Sequence, residues 1–360
     1  MKSSDLNRFA LRSLAAAAML AGCGASQPPI GAVGAMPQTT ARATHADLSV
    51  GNDDWNHGNG DVAIFAQGKK SPIRTISAGM RAPNGSAFDS NGDLYIANDG
   101  STKKPGDVTV YDPRSGRLIR TISDGISEPD DLILDHSGEL YVANYGNNSV
   151  TVYAAGSSRL LRTITEGISF PGALALDAND NCFVTNYSSV TEYARASTRL
   201  IRTITDGVFA AGDLTFDSAG KLYVSNLEAS HNSVTVYAAQ TFHLLRTITQ
   251  GLDYPLWLAL DKRNRLYALN LYGEETGSVT VYAPDTSQPM RTITDGILGP
   301  TTMVLDPSGD LYVANGKICN SSRKCNQGSV SAYAPSSDEP SLQIKSGIHN
   351  PVTLAIDPKH

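Results

Sequence analysis

The sequence lacks a long hydrophobic run and an excess of positive charge. No apolar stretch approaches the ~18 residues that a membrane-spanning helix needs. The 360 residues include 29 lysines and arginines against 35 aspartates and glutamates, which gives a net charge of −6 at pH 7. A surface of this sign repels phosphate backbones, so we expect no nucleic-acid partner.

The first 22 residues have the pattern of a secretory signal peptide. Basic residues precede a short apolar core at 14–20, which is too short to span a bilayer. The run Leu20-Ala21-Gly22-Cys23 resembles the lipobox of bacterial lipoproteins. This resemblance implies cleavage before Cys23, acylation of that residue and stable anchoring in a membrane through several acyl chains. An ordinary secretion signal with an unrelated cysteine is the alternative.

The segment after the leader has few bulky residues. Residues 24–46 are mainly Gly, Ala, Pro, Thr and Gln, a composition that cannot bury enough surface to fold, so we predict a disordered tether behind the lipidated Cys23. Gly24 stands where, in bacterial lipoproteins, an aspartate would favour the inner membrane. The predicted location is therefore the periplasm or cell surface, with the outer membrane favoured.

From residue 47 onward one unit recurs at steps of 40 to 46 residues. Each copy contains four short β-type segments, a pattern that predicts a propeller with one four-stranded blade per repeat. Each first segment ends in an aspartate, and the next turn has Gly, Asp or Asn at its fourth position, where the left-handed region is required. The second segment of the unit recurs as Leu94–Asn98, Leu140–Asn144, Cys182–Asn186, Leu222–Asn226, Leu266–Asn270 and Leu311–Asn315.

The two ends of the repeat region complete each other. Residues 353–357 match only the first segment of the unit, whereas residues 48–76 match the other three. We therefore predict an all-β, seven-bladed propeller over 47–360, with four-stranded antiparallel blades. The C-terminal strand pairs with the N-terminal strands to close the ring.

The unit resembles the NHL repeat, within the wider group of gluconolactonase-like and virginiamycin B lyase-like propellers. Residues 132–135, 137–144, 149–153 and 162–164 carry this resemblance, and it extends over roughly 48–357. It implies the architecture but not one activity, because this fold hosts enzymes, sensors and adaptors.

Three further cysteines follow Cys23. Cys319 and Cys325 are close together in one predicted loop, and in an exported protein we expect them to form a disulfide. A metal pair is the alternative, although no second Cys or His pair accompanies them. Cys182 replaces the leucine of a repeated strand and is predicted to be a buried free thiol.

The residues that open each inner strand are predicted to ring the central channel. Asp130, Asp131 and Asp213 are the carboxylates among them, and such oxygen donors suit Ca²⁺ or Mg²⁺. Gluconolactonase-like enzymes use ligands at the channel mouth, together with a glutamate that has no evident counterpart here. Solvated acidic rim residues are nevertheless the preferred interpretation, and a metal site is the alternative. The whole ring comprises Asn84, Asp130, Asp131, Gly172, Asp213, Trp257, Thr301 and Thr353.

The loops that join the second and third segments vary in length, and variable loops on a rigid frame are where recognition normally occurs. Aromatic residues cluster there and in the links between blades, and aromatic surfaces suit sugars and extended peptides. The asparagines that end the second segments are interpreted as turn caps. The predicted ligand-binding face comprises Trp55, Asn84, Asp130, Asp131, Tyr145, Tyr187, Asp213, Trp257 and Tyr272, with Phe170, Phe209 and Tyr254 as further aromatic residues.

Two hypotheses for the function follow. The first is a membrane-anchored propeller without catalytic residues or cofactor, which binds an envelope protein, a peptide or a polysaccharide on its loops. The second is a divalent-metal-dependent lactonase or lyase, with Asp130, Asp131 and Asp213 as candidate catalytic and metal-binding residues.

Overall fold

The computed structural model describes residues 47–54, 59–99, 105–272, 276–316 and 327–357, and at Asp54 and Tyr272 the backbone alone. Within these residues the chain forms 28 strands and one short 3₁₀-helix, Tyr145–Asn147. No helix in this part of the chain is both long and apolar enough to cross a membrane. In chain order the strands are β1 (Leu48–Asp54), β2 (Asn59–Phe65), β3 (Arg74–Ile76), β4 (Pro83–Phe88), β5 (Leu94–Asn98), β6 (Asp107–Asp112), β7 (Arg117–Ile122), β8 (Pro129–Leu134), β9 (Leu140–Asn144), β10 (Ser149–Tyr153), β11 (Leu160–Ile164), β12 (Leu174–Leu176), β13 (Cys182–Asn186), β14 (Ser189–Tyr193), β15 (Leu200–Ile204), β16 (Ala211–Phe216), β17 (Leu222–Asn226), β18 (Ser233–Tyr237), β19 (Leu244–Ile248), β20 (Pro255–Leu260), β21 (Leu266–Tyr272), β22 (Thr276–Tyr282), β23 (Pro289–Ile293), β24 (Pro300–Leu305), β25 (Leu311–Asn315), β26 (Ser329–Tyr333), β27 (Leu342–Ile344) and β28 (Pro351–Ile356).

These strands form seven antiparallel sheets of four, counted over the described ranges. Each sheet is one blade, and we name its strands a to d from the centre outward. The inner strands of successive blades contact one another, as β4 contacts β8 and β16 contacts β20. The predicted all-β, seven-bladed propeller is confirmed. Blade 1 is β4–β7, blade 2 is β8–β11, blade 3 is β12–β15, blade 4 is β16–β19, blade 5 is β20–β23, blade 6 is β24–β27, and blade 7 is β28 with β1–β3.

Blade 7 joins the two ends of the repeat region. Strand β28 pairs antiparallel with β1, with Leu48 opposite Ile356 and Val50 opposite Leu354. The backbone N–H of Asp357 also donates to the Asp47 carbonyl at 2.9 Å. The predicted closure of the ring is therefore confirmed, because it places the C-terminal strand a against the N-terminal strands b, c and d.

The two ends of the propeller carry different connections. We call the end with the d–a crossovers and b–c loops the loop face, and the end with the a–b and c–d turns the turn face. Asp47 and Asp357 both lie on the turn face, because β1 starts and β28 ends there. In the a–b turn of blade 2, Asp135 Oδ1 accepts the N–H groups of Ser137 and Glu139 at 2.9 and 2.8 Å. Gly138 follows in this turn with a φ of 83°.

The strand-ending asparagines hold the crossovers in place. In blade 2, Asn144 Oδ1 accepts the N–H of Ser127 at 3.1 Å, and its Nδ2 donates to Thr151 Oγ1 at 3.0 Å. All of these asparagines are buried, so they act within the fold, as predicted, and not as ligand-binding groups. The other bonds of this kind join Asn52 to His349, Asn98 to Arg81, Asn186 to Ser169, Asn226 to Phe209, Asn270 to Asp253 and Asn315 to Leu298.

The tyrosines that end the c strands also form hydrogen bonds to these crossovers. Tyr153 Oη donates to the Asp124 carbonyl at 2.5 Å, and Tyr193 Oη donates to the Glu166 carbonyl at 2.5 Å. Blade 7 has Phe65 at this position. The crossovers thus have a firmly held backbone, and their side chains project from a rigid frame.

The buried free thiol predicted at Cys182 is confirmed. Cys182 packs in the core between blades 2 and 3, and burial raises the pKa of its thiol to about 12. Cys23, Cys319 and Cys325 lie outside the described residues, so the lipidated cysteine and the disulfide stay predictions.

Candidate functional site on the loop face

Two of the three predicted carboxylates join neighbouring inner strands. Asp131 Oδ1 accepts its neighbour Leu132 N–H at 2.7 Å, and Oδ2 accepts the N–H of Leu174 in blade 3 at 2.8 Å. Asp213 bonds in the same way to Leu214 within its own strand and to Leu258 in blade 5, both at 2.8 Å. Both carboxylates are buried and satisfy backbone donors on two adjacent strands.

Burial has a large effect on the titration of Asp213. Desolvation raises the pKa of its carboxyl to about 7, and the two backbone N–H groups oppose that rise because they stabilise the charged form. Asp213 therefore titrates near neutral pH.

Asp130 is buried beside Asp131. Its pKa is raised well above the usual range, first by desolvation and then by the nearby carboxylates of Asp131 and Asp99. A Cβ on Gly172 would lie 3.8 Å from Asp130 Oδ2. Asp130 therefore points across the boundary between blades 2 and 3.

Asp131 and Asp213 are not placed to share a Ca²⁺ or Mg²⁺ ion. A metal site needs several oxygen ligands that converge on one point. Asp131 and Asp213 direct their oxygens to backbone N–H groups of separate blade boundaries. The described part of the chain contains no group of three or more His, Cys, Asp or Glu residues placed to hold a metal ion. We therefore derive no reaction step through a bound metal.

Trp257, predicted on the ligand-binding face, lies in the core instead. Its side chain is 1% exposed and packs with Leu256 and Met303, while its Nε1 donates to the Thr301 carbonyl in blade 6 at 2.7 Å. The side chain of an inner strand projects toward a neighbouring blade, and this geometry buries the ring.

Asn84 also serves a blade boundary. It is half-buried, and its Nδ2 donates to the Pro129 carbonyl of blade 2 at 3.4 Å. Trp55 lies outside the described residues, as does the side chain of Tyr272. Thr301 and Thr353, from the predicted channel ring, likewise bond to the next inner strand, Thr301 to the Pro351 carbonyl at 2.8 Å and Thr353 to Ser86 Oγ at 2.7 Å.

Four aromatic side chains remain on the loop face, and we call this group the aromatic arc: the half-buried Tyr145 and the exposed Phe170, Tyr187 and Phe209. Phe170 and Tyr187 are 50% and 61% exposed. The rings of Tyr145 and Phe170 are 5.5 Å apart, and the N–H of Ala211 bonds to the Tyr187 carbonyl at 3.2 Å, which brings Tyr187 next to the crossover that carries Phe209. The arc thus spans the loops of blades 2, 3 and 4.

His231 extends the arc on blade 4. Its imidazole stacks on the Phe209 ring with centroids 4.1 Å apart and an interplanar angle of 14°. Its Nδ1 is 2.8 Å from Ser230 Oγ. The sequence places His231 in a b–c loop, but the stacking depends on the neighbouring crossover and has no sequence signal.

Phe170 holds an unusual backbone conformation. Its φ is 51°, in the left-handed region, where a bulky side chain is rare. The equivalent residues Glu128, Ala210 and Tyr254 share this conformation, with φ of 44°, 47° and 50°. Asn148 Oδ1 accepts the Phe170 N–H at 2.7 Å and helps to hold it. The crossover geometry therefore displays this side chain toward solvent.

These observations define the protein as a seven-bladed β-propeller with an exposed aromatic surface on its loop face. A family model, the SMP-30/Gluconolactonase/LRE-like region, matches residues 40–188. The match covers less than half of the chain and ends within blade 3. A search of curated proteins found no match.

Proposed function

We propose that this protein is an exported, membrane-anchored propeller that binds a protein, peptide or glycan on its loop face and does not catalyse a reaction. The aromatic arc supports this proposal, because exposed rings on a rigid frame give a ligand large contact area at low entropic cost. The predicted catalytic carboxylates Asp131 and Asp213 accept backbone N–H groups between blades, which supports a structural role for them.

The proposed anchor orients the binding surface. The described chain begins at Asp47 on the turn face, opposite the arc. A tether over residues 24–46 would therefore be attached to the face of the propeller that is opposite its binding surface. A lipid on Cys23 would then present the loop face away from the membrane. Cys23→Ala should move the protein from the membrane fraction to the soluble fraction; unchanged membrane association would contradict the anchor.

The binding function can be tested with arrays that display many peptides and oligosaccharides. The double variant Phe170→Asn/Tyr187→Ser removes two exposed rings of the arc, and asparagine tolerates the left-handed conformation. Array signals of the full-length protein should be lost in this variant. The control, Leu245→Ser/Met290→Ser, removes two side chains that are 44% and 56% exposed on the d strands of blades 4 and 5, and it should retain the signals. Equal signals in all three proteins would contradict a site on the arc.

The second candidate function is that of a lactonase or lyase, and the family match over residues 40–188 favours it. The NHL resemblance stays a prediction and does not distinguish the two functions. A panel of lactones with added Ca²⁺, Mg²⁺ or Mn²⁺ tests catalysis directly. If the protein turns over a lactone and a folded Asp130→Asn variant does not, the enzymatic function would be supported and the non-catalytic proposal contradicted.

A further inference from the structure

The loops that carry the aromatic arc have carboxylates but no lysine or arginine. They comprise residues 123–128, 145–148, 165–170, 187–188, 205–210 and 227–232, all within the described part of the chain. His231 is the one residue in these loops that can become a cation. The acidic residues are all exposed: Asp124, Glu128, Glu166, Asp206 and Glu228.

Two of these acidic residues, Glu128 and Glu228, lie next to the arc. The N–H of Tyr145 donates to the Glu128 carbonyl at 3.0 Å, and a Cβ on the neighbouring Gly146 would lie 3.0 Å from the Glu128 side chain. At the other end of the arc, Glu228 Oε2 is 3.6 Å from His231 Nδ1. Negative charge therefore lies at both ends of the aromatic surface.

The cations of the loop face lie elsewhere. In the described d–a crossovers and b–c loops, the lysine and arginine residues are Arg81 and Lys345, which flank blade 7. Arg81 also forms an ion pair with Asp107. The loops around the arc on blades 2–4 are therefore acidic and aromatic and contain no lysine or arginine, and the next two crossovers add Asp253 and Asp295 without a cation.

The inner strands of blades 3 and 4 are each preceded or begun by a glycine at the loop face. At the strand position of Asn84 and Thr301, these two blades have Gly172 and Gly212. A Cβ on Gly172 would lie 4.0 Å from the Gly212 carbonyl. The side chains of Thr185 and Leu227 occupy the space beside these glycines, at 3.1 and 3.0 Å from such a Cβ.

We propose that the aromatic arc binds an extended peptide segment rich in arginine or lysine. This inference rests on the proposed binding function and specifies its partner. Arginine and lysine side chains are attracted to ring faces through cation–π contacts, and arginine also pairs with carboxylates. A neutral glycan can donate hydroxyl hydrogen bonds to carboxylates, but it carries no positive charge to complement the five negative ones. Charge complementarity therefore favours a cationic peptide.

The test compares three labelled peptides of equal length on the full-length protein. One alternates arginine with serine, and in the others glutamine or glutamate replaces the arginine. By fluorescence anisotropy the arginine peptide should bind, at least about tenfold more tightly than the glutamine peptide, while the glutamate peptide should not bind. Raising sodium chloride from about 25 to about 250 mM should weaken the arginine complex at least about tenfold, because salt screens exposed charges.

Matched variants locate the binding. Glu128→Gln/Glu166→Gln should weaken the arginine peptide at least about fivefold and reduce its salt dependence, because two exposed carboxylates lose their charge. The control Asp338→Asn/Glu339→Gln removes two exposed carboxylates on the turn face, and it should bind like the wild type. Phe170→Asn/Tyr187→Ser should also weaken binding of the arginine peptide, although this variant changes no charged residue of the protein.

The outcomes separate this inference from the proposed function. Binding of the glutamine peptide or of a neutral oligosaccharide to the arc, independent of salt, would overturn the cationic partner but keep a binding function. Self-association that Phe170→Asn/Tyr187→Ser abolishes in sedimentation experiments would identify a second copy as the partner and also overturn it. Array signals unaffected by the arc variants would overturn both proposals.

Discussion

Trp257 and Tyr187 are aromatic residues predicted on one ligand-binding face, but in the structure Trp257 is buried and Tyr187 is exposed. Trp257 lies on the inner strand β20, is 1% exposed and bonds to the next blade. Tyr187 lies in a b–c loop and is 61% exposed. The comparison shows that the inner strands use side chains to join blades, whereas the loops leave them available to a ligand.

The acidic residues also differ in exposure according to whether they lie on an inner strand or in a loop. Asp213 on the inner strand β16 accepts backbone N–H groups from two blades, and burial raises the pKa of its carboxyl. Glu128, in a crossover, is exposed at one end of the arc. The location within the blade, more than the residue type, separates groups that stabilise the ring from groups that can bind a partner.

The largest expected effect is on stability, from Trp257→Ala. This change removes a buried ring from the contact between blades 5 and 6 and should lower the free energy of unfolding by about 3–5 kcal/mol. Trp257→Phe keeps an aromatic side chain and loses the bond to Thr301, so it should cost less. Urea unfolding followed by circular dichroism measures both changes. A loss below about 1 kcal/mol for the alanine variant would contradict the buried position of Trp257.

An intermediate effect should appear in the pH dependence of stability, through Asp213. Its folded-state pKa of about 7 lies above the unfolded value of about 3.9. Between these values the unfolded chain releases the proton while the folded protein retains it, so the contribution of Asp213 to stability is present below about pH 4 and is lost as the pH rises toward 7.

Asp213→Asn removes this titration. Across the same pH window the free energy of unfolding of the wild type should fall relative to that of the variant, and above pH ~7 the difference should be constant. Urea titrations of the two proteins at several pH values measure it. Parallel curves from pH 4 to 7 would show that the Asp213 pKa is not raised.

The smallest effect is expected from Tyr187→Ser. The ring is mostly exposed, and the backbone carbonyl that accepts the Ala211 N–H stays in place. The free energy of unfolding should change by no more than about 0.5 kcal/mol, while binding to the arc weakens. A loss comparable to that of Trp257→Ala would remove the distinction between the two regions.

Much of the fold follows from contacts that are close in sequence. The turn after Asp135 needs its carboxylate, two N–H groups within four residues and Gly138 in the left-handed region, so a local pattern identifies it. Repetition of such a pattern then predicts the number of strands and blades. The closure between β1 and β28 was predictable as well, because each chain end lacks what the other supplies.

The candidate site was predictable only in part. Tyr145 and Tyr187 are in the predicted surface, and Phe170 and Phe209 were recognised as aromatic residues of the loops. The positions of Trp257, Asp131 and Asp213 were misjudged as exposed, because their partners are backbone groups of the next blade, about 43 to 45 residues away in sequence. His231 against Phe209 likewise requires two loops to meet.

The sequence by itself determined the repeating strands, their turns and the seven blades, since each depends on hydrogen bonds and periodicity within one unit. It also determined the shared closing sheet, since each end of the repeat region contains the strands that the other lacks. Only the tertiary structure decided which polar and aromatic side chains join blades and which face solvent. That choice depends on how each inner strand meets the next blade, and such contacts between units leave no periodic signal in the chain.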